Sequence, residues 1–576
     1  MAEKATLDKI KDKERELKPL YDRMDRTRKS VYLTPYQMLK VDGKTIEDNV
    51  INVTMPYPAI IANTIINDLI DAHQQVIIEG DITPKAKNFL EKFFNDNFDE
   101  GDEVLSRKGY PSLYDWWCNH VCIRSYIGTR YVCQLIDGKY RIDVLPSDMR
   151  YCSREYGNDG LNWFCNSGYR LPSDVKAEYA IQLEEKGITL PSGNSYIFVR
   201  DWWSSDKNEV YLDDREIINQ SHKFGEPPFV TGSPATGFLL RDDGYIAHES
   251  EDILFLIRGI IDEVNRSVSI EQTKAFELLR PPYEQEVEQN DSKPGEAPPK
   301  TGQTKKVKKG QMHQLLPTPD VNRAFLSGRE DLNKAVQMGG VNDIDLGNVS
   351  QTVSAVWITA QTSIRKKFTA PRLKTISTCT SQLARMAERQ YRLAVGMAKD
   401  DPEVLIGREG RKKLYKLGDF PNPEKYDIRY EYRSQSKTEE IANLAQFEAA
   451  PDLPMLYRLE HFLKVSNPQE VMGMIDMAEA KRIDPAITFY DLALSLARQA
   501  ADIEDDDEKE ANAKKMQSKI MTERGVAMLK QRLVPGQEQE MGSPPKPPAG
   551  RPETLMAMPG MLSGTAPKPQ REPQAA

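Results

Sequence analysis

The stretch SEDILFLIRGIIDEVNRSVSIEQTKAFELLR, residues 250–280, is unusually long for a single helix of a globular protein. Its apolar residues recur at helical spacing, at positions 253, 257, 260, 261, 264 and 268. Ser250 is a suitable N-cap, Glu251 and Asp252 suit the first turn, and the two prolines that follow stop the helix. The pattern predicts a helix of about 30 residues, or roughly 45 Å.

A polar excursion, residues 281–318, separates this helix from a second one. It is rich in Pro, Gly and Lys, a composition that taken alone indicates a disordered loop. We call its two charged parts the acidic arm and the basic arm. Glu284, Glu286 and Glu288 make up the acidic arm, and Lys305, Lys306, Lys308 and Lys309 make up the basic arm. The second helix is predicted over 319–338, with Thr318 as its cap and Pro319 at its first position.

The segment GGVNDIDLGNVS, residues 339–350, leads into a third long helix over 351–397. Gly339 and Gly340 favour a left-handed terminus for the second helix. Pro371 lies in the middle of the third helix and is expected to kink it. The strand-like segment YDIRYEYRS, which begins at Tyr426, is predicted to rejoin the N-terminal domain.

The first 249 residues alternate between helical and strand patterns. Residues 6–30 carry interspersed charges and predict an exposed surface helix, and further helices are predicted over 56–72, over 84–98 and through an aromatic-rich segment ending at Gly128. Asp137-Gly138 predicts a β-hairpin, and SYIFVRDWWSS, EVYLDD and PPFVTG predict further extended segments. Residues 437–532 are predicted to be helical pieces that begin near prolines, and residues 533–576 a disordered tail. The fold class predicted is α+β with helix predominating.

Length, charge, cysteine content and missing motifs exclude several classes of function. A chain of 576 residues with 39% hydrophobic residues can bury a large core, and its net charge of -9 argues against tight wrapping of phosphate backbones. The six cysteines lack paired zinc spacing and indicate free thiols in a reducing compartment. No apolar run approaches the ~20 residues of a membrane span. No phosphate-binding loop, HExxH or GxSxG motif is present, so we assign no catalytic residue, metal or cofactor.

Three weaker patterns have ordinary structural explanations. In CNHVC, His120 does not share the helix face of Cys118 and Cys122, which disfavours a metal site. The run DDDE at 505–508 lacks the spacing of a calcium loop and indicates a solvated helix face. Cys379 has apolar neighbours, which favours a buried structural thiol over a reactive one.

The order of elements resembles the portal proteins of tailed double-stranded DNA bacteriophages over most of residues 30–500. It is carried by a long helix, a polar excursion of about forty residues, a second long helix, a short Gly and Asp loop and a proline-containing long helix. Sequence segments such as GKYRIDVLPSDMRY and FGEPPFVTG also look like parts of the wing domain of portal proteins.

The resemblance implies a domain plan. Residues 1–249 would be the wing, 250–280 and 319–338 the stem, 281–318 the clip and 339–350 the tunnel loop. Residues 351–436 would contain the kinked helix and the return to the wing, and 437–532 a helical crown.

The resemblance also implies a function and partners. It implies a dodecameric homo-oligomeric ring at one capsid vertex of the virion, assembled in the host cytoplasm, through which double-stranded DNA passes without sequence specificity. Terminase would dock during packaging, head-completion or adaptor proteins afterwards, and major capsid and scaffolding proteins would surround the ring. The chain itself would be no enzyme.

Site residues follow from the same resemblance. Asn342, Asp343, Asp345 and Asn348 would lie in the tunnel loop, where the two carboxylates would repel phosphates; an equally good explanation is that they solubilise a turn. For the clip, we expect the acidic arm of one subunit to face the basic arm of its neighbour, with a flexible DNA-contacting loop as the alternative. Arg365, Lys366 and Lys367 are expected to pair with a neighbouring subunit rather than with DNA.

Two other protein classes stay open. A metal-dependent DNA-processing enzyme of a packaging system would require clustered carboxylates on strands, and the first domain has only scattered ones. A coiled-coil scaffold would require sustained heptads, and the apolar stripe of residues 253–268 is too short for them.

Overall fold

The structure is a computed structural model that describes residues 5–48, 50–136, 138–191, 193, 195–279, 283–287, 304–308, 310, 321–340, 355–397, 403–433, 444, 447–463, 468–503 and 508–533. Helices and mostly antiparallel strands alternate, and helix predominates, so the predicted α+β class is confirmed. The chain divides into two compact units, 1–466 and 467–576.

Two helices, α1 (Thr6–Glu16) and α2 (Lys18–Val31), replace the single helix predicted over 6–30. The helix is interrupted at Leu17, and Pro19, in the first turn of α2, lacks the N–H that a continuous helix would use. The prediction of an exposed surface helix is wrong, because Leu20 and Met24 are fully buried. Charged residues on the outer face conceal this buried stripe in the sequence.

The next helices agree with the prediction in position but not always in length. They are α3 (Tyr57–Ile70), α4 (Pro84–Arg107) and α5 (Leu113–Ile123). The helix α6 (Pro172–Glu185) was not predicted. The helix α4 continues past the predicted end because Gly101 lets it approach the neighbouring sheet: a Cβ atom there would lie 3.3 Å from both Tyr131 Oη and Val144 Cγ2. The helix α5 ends before the predicted Gly128, which lies in a strand.

Most of the strands belong to three antiparallel sheets. The hairpin of β2 (Ile127–Ile136) and β3 (Lys139–Pro146) forms at the predicted turn, and β9 (Phe229–Gly232) pairs with β2 on its other edge. The second sheet is a five-stranded meander of β4 (Cys152–Gly157), β5 (Gly160–Arg170), β6 (Ile197–Trp203), β7 (Lys207–Leu212) and β8 (Arg215–Ser221). The third joins β1 (His73–Gly80) to β14 (Tyr426–Arg433), which confirms that the latter segment rejoins the first domain.

The other described α-helices and strands of the first unit are α7 (Arg258–Leu279), β10 (Tyr283–Val287), β11 (Thr304–Lys308), α8 (Val321–Gly339), α9 (Ala355–Gly396), β12 (Val404–Ile406), β13 (Lys413–Tyr415) and α10 (Met455–His461). Three of these helices, α7, α8 and α9, are long. The helix α9 contains Pro371 and continues through it without a break. Its C-terminal half is the centre of the main core, where Ile376, Ala384 and Tyr391 are fully buried.

Gln390 of α9 binds this helix to the edge of β2 beyond the end of β9. Its side-chain carbonyl accepts from Cys133 N at 2.7 Å, and its amide donates to Tyr131 O at 3.0 Å. One buried glutamine thus takes the place of a neighbouring strand where β9 has ended. It provides hydrogen-bond partners for two backbone groups of β2 that would otherwise be costly to bury.

The described residues of the second unit form three helices, α11 (Pro468–Ile483), α12 (Pro485–Ile503) and α13 (Glu508–Leu533). Two of them begin at the prolines that the sequence suggested. The helices α12 and α13 are antiparallel, since Ser518 Oγ donates to Ala493 O at 2.7 Å and Gly525 faces the ring of Tyr490. The tail over 534–576 lies outside the described residues.

Candidate functional site

The candidate site is the helix pair α7 and α8 together with the strands β10 and β11. The two helices are antiparallel. Near one end Gly339 approaches Ile257, and further along the guanidinium of Arg329 pairs with the carboxylate of Glu271. The chain therefore runs out along α7, passes through the excursion and returns along α8.

Burial changes along both helices in the same direction. In α7 the buried positions are 261, 264, 265, 267 and 269, and Ile257 just before the helix is also buried. The exposed positions toward the C-terminus of α7 are 272, 274, 275, 276 and 279. In α8 positions 327, 328, 330 and 331 are exposed, and buried positions occur only nearer the C-terminus among the described residues, at 336 and 339, while 334 and 338 remain exposed. The pair is consequently packed into the domain at one end, the base, and extends into solvent at the other.

Two glycines allow the tight packing at the base. A Cβ atom at Gly339 would lie 2.6 Å from Ile257 Cγ2, and one at Gly340 would lie 2.7 Å from Ile61 Cδ1. Neither residue has a positive φ, so the predicted left-handed terminus is wrong. Glycine is required here because α8 ends in close contact with α3 and α7.

A buried ionic cluster holds the chain just before α7. The predicted N-cap Ser250 has a φ of 55°, and its hydroxyl donates to Pro234 O at 2.7 Å, so the helix begins at Arg258 instead. Glu251 and Asp252, expected in the first turn of the helix, lie before it and are buried, and Arg258 Nη2 pairs with both at 2.6 and 2.7 Å. The predicted start was wrong because these carboxylates serve a tertiary contact.

Arg23 of α2 completes the cluster. Its guanidinium donates to the carbonyls of Ala247, Glu249 and Ser250 at 3.0, 2.9 and 2.8 Å and lies 3.7 Å from Glu251 Oε2. Burial lowers the pKa of Arg23 below its ordinary value, while the nearby carboxylates act in the opposite direction. The N-terminal helices are thereby fastened to the base of α7.

A second connection to α7 is a ladder of three hydrogen bonds from an extended segment. The amides of Ile51, Val53 and Met55 donate to side-chain oxygens of α7, each at 2.9 Å. The acceptors are Thr273, Ser269 and Asn265 in that order. Two extended residues advance about 6.6 Å and four helical residues about 6 Å, so the two spacings match.

The ladder leads to a testable expectation. Ser269 is fully buried; its hydroxyl accepts from Val53 N and donates to Asn265 O at 2.7 Å. Replacing Ser269 by Ala should lower the free energy of unfolding by about 1–3 kcal/mol, because the Val53 amide loses its acceptor. Amide hydrogen exchange should accelerate at Val53.

The matched control is Thr378→Ala. Thr378 makes the same kind of bond to a carbonyl four residues earlier, at 3.0 Å, but on the exposed face of α9. It should change stability by less than about 0.5 kcal/mol. Unchanged exchange at Val53 in Ser269→Ala would show that the ladder does not hold the segment.

The excursion contains a parallel pair of strands, so the disordered-loop interpretation is wrong for 283–287 and 304–308. The register places Glu284 opposite Lys305 and Glu286 opposite Val307. Val307 is buried, and Gly310 N donates to Glu286 Oε1 at 3.0 Å. The structure thus brings parts of the acidic and basic arms together within one chain, a contact that the sequence interpretation had not considered.

Several predicted site residues lie outside the described residues. These are Asn342, Asp343, Asp345 and Asn348 of the presumed tunnel loop, and Glu288 and Lys309 of the two arms. Of the basic trio on α9, Lys367 is exposed and Lys366 half-buried. Their roles stay predictions.

The cysteines are free thiols, as the sequence suggested, and the prediction that Cys379 is buried is confirmed. All six are free and buried, and Cys379 is buried in the core, where desolvation raises its pKa to about 12. His120 stacks on Trp116 with ring centroids 4.2 Å apart. Within the part of the chain that is described, no group of three or more His, Cys, Asp or Glu is arranged to hold a metal ion.

The sequence interpretation missed the ionic cluster and the ladder. The cluster leaves no local trace, since Arg23 and Glu251 are far apart in the chain. The ladder does leave one: Asn265, Ser269 and Thr273 follow each other at four-residue spacing on α7. Small polar residues in a row beside an apolar stripe can indicate a helix that receives another chain segment.

Comparison with protein-family models and with curated proteins finds no match for this sequence. Among the described residues, no helix has both the length and the apolar character that crossing a membrane would require.

Proposed function

We propose that this chain is a portal-type ring subunit whose copies surround a channel for double-stranded DNA at a capsid vertex. The observation that carries the proposal is the burial gradient along α7 and α8. Two helices that are packed at the base and exposed at many of the described positions further out have the organisation of a portal stem, and the strand pair between them has that of a clip. This adds to the order of elements from which the resemblance was first drawn.

Exposed apolar surface on the outer part of α7 supports assembly with neighbours. Phe276 and Leu279 are 41% and 81% exposed. A two-stranded sheet such as β10 with β11 is marginal in isolation. Neighbouring copies would cover these side chains and edges, so that the outer stem gains in a ring the burial that one chain does not provide.

The electrostatics suit a channel that DNA slides through. A net charge of -9 in each subunit disfavours persistent binding of phosphates, because tight binding requires many Lys and Arg contacts. We assign the pumping of DNA to a separate terminase and the later docking at the clip to head-completion or adaptor proteins. The virion location belongs to the same proposal.

The test is direct imaging of the purified full chain. We expect negative-stain micrographs to show closed rings with a central hole, and light scattering to give a mass near twelve copies. Incubation with linear duplex DNA and Mg²⁺ or Mn²⁺ should leave the DNA intact. Monomers at every concentration, or metal-dependent cleavage, would contradict the proposal and favour the DNA-processing alternative.

A further inference from the structure

One loop displays three consecutive large apolar side chains to solvent. Phe238, Leu239 and Leu240 are 74%, 74% and 66% exposed. The loop is held at both ends, since Thr236 Oγ1 bonds to Glu251 O and Arg241 pairs with Glu249 at 3.4 Å. Such a cluster exposed in water is unfavourable, and it indicates a surface that another molecule covers.

Acidic residues follow directly. Asp242 and Asp243 are exposed, and neither forms an ion pair with any part of the chain that the structure describes. Residues 237–244, which we call the FLL loop, therefore combine an apolar tip with a negative flank. A partner surface should offer an apolar floor beside positive charge.

A groove with that character lies beside the base of α7. It has a volume of about 530 Å³ and runs between α2, the segment 34–39 and α7. Pro35, Leu39, Met55 and Ile261 contribute apolar surface, and Arg26, Lys29 and Arg266 contribute positive charge. Asp262 is the acidic residue of the lining and lies 3.6 Å from Arg26, and Arg266 pairs at 3.2 Å with Glu263, which is not part of the lining. The lining residues, which also include Arg258, carry more positive than negative charge.

We propose that the FLL loop of one copy inserts into this groove of the next copy. The leucine and phenylalanine side chains would cover the apolar floor, and Asp242 and Asp243 would pair with Lys29 and Arg26. This inference rests on the proposed ring and names the surface that joins its subunits. Loop and groove share no residue, so a contact made in one direction only is heterologous and can repeat from copy to copy until the ring closes. A reciprocal exchange of loops between two copies would instead stop at a dimer, which the mass of the assembly distinguishes.

Cysteine crosslinking tests the contact in the full chain. Leu239→Cys and Thr34→Cys place thiols on the loop and at the groove, both at exposed positions, whereas the six native cysteines are buried. Mixing the two single variants and adding a short bismaleimide should give covalent dimers, and each variant alone should give none. The control pair, Ile181→Cys with Thr34→Cys, should not crosslink, although Ile181 is 69% exposed.

Assembly measurements test the energetics. Leu239→Glu should raise the concentration for half-maximal ring formation at least about tenfold, because an apolar side chain loses its burial. Asp242→Lys with Asp243→Lys should weaken assembly, and adding Lys29→Glu to that variant should restore part of it. Ile181→Glu should assemble like the unmodified chain.

The outcomes separate this inference from the proposed function. Rings that form normally without the crosslink, or in which the cysteine at position 239 reacts freely with a bulky maleimide, would overturn the loop contact and leave the ring intact. If a chain that carries both Leu239→Cys and Thr34→Cys formed the crosslink only within itself, and the mixed single variants formed none, the loop contact would also be overturned. Failure of the unmodified chain to form rings would instead overturn the proposed function.

Discussion

Replacing Arg23 by Ala is expected to lower the free energy of unfolding of the 1–466 unit by about 3–5 kcal/mol. Arg23 is buried and serves three carbonyls at 2.8–3.0 Å besides its contact with Glu251. Removing it leaves these acceptors without a donor and Glu251 with less compensation for its burial. Urea denaturation followed by tryptophan fluorescence measures the change.

Two further variants identify the cause. Arg23→Lys keeps the positive charge but not the planar fork that reaches several carbonyls, so it should lose less than Arg23→Ala but remain destabilised. Arg15→Ala removes an arginine that is also ion-paired on these N-terminal helices, with Asp12, but whose side chain is 77% exposed. It should change stability by less than about 1 kcal/mol. Equal effects of Arg23→Ala and Arg15→Ala would show that the cluster does not fasten the base of α7.

Local patterns in the sequence predicted the elements that local interactions stabilise. The β2–β3 hairpin formed where Asp137-Gly138 suggested, because the two strands are adjacent in the chain and the turn itself sets their register. The helix α3 and the strands β6 and β7 were likewise anticipated from their spacing and apolar content. In each case the residues that stabilise the element lie within or beside it.

Elements that depend on distant partners were misjudged or missed. Strand β1 pairs with β14 across some 350 residues, so nothing near His73 indicated it. The N-terminal helices carry enough charge to suggest a surface location, yet their apolar side packs on the β4–β8 sheet region, where Tyr21 Oη donates to Cys152 O at 2.8 Å. Ser250 resembled an N-cap in every local respect, and its tertiary contacts with Pro234 and Ser125 decided otherwise.

The candidate site was predicted in organisation and missed in detail. Long helices on either side of a charged excursion were evident from periodicity and composition. Which residues fasten α7 depended on side chains from α2 and from the segment 51–55, and no periodicity reports such contacts. The pairing of β10 with β11 was also hidden, because short charged strands have little β-propensity.

Reversing the basic arm should abolish ring formation. The variant carries Lys305→Glu, Lys306→Glu, Lys308→Glu and Lys309→Glu and makes both arms acidic. Charged pairs across strands contribute about 0.2–1 kcal/mol each, and like charges directly opposite destabilise. The penalty recurs in every subunit, so closed rings should disappear from micrographs. Normal rings with altered DNA retention would support the DNA-contacting alternative.

The reversal alone cannot distinguish pairing within a chain from pairing between chains, because the register already places Glu284 opposite Lys305 in one chain. A second variant resolves this: Glu284→Lys, Glu286→Lys and Glu288→Lys make both arms basic. In the described residues β10 and β11 form a sheet of two strands, which leaves each with an open edge that a neighbour can occupy. An all-acidic chain beside an all-basic chain would restore opposite charges across those edges.

We therefore expect rings to return, at least in part, when the all-acidic and all-basic chains are mixed, although neither forms rings alone. Within each chain the two strands still repel, and only contacts between chains have become favourable. Size-exclusion chromatography and negative-stain imaging of the mixture against each variant alone measure this. Recovery on mixing would mean that the arms join neighbouring subunits. Its absence, together with recovery in a single chain that carries all seven reversals, would mean that the arms act within one chain, because that chain restores opposite charges across β10 and β11.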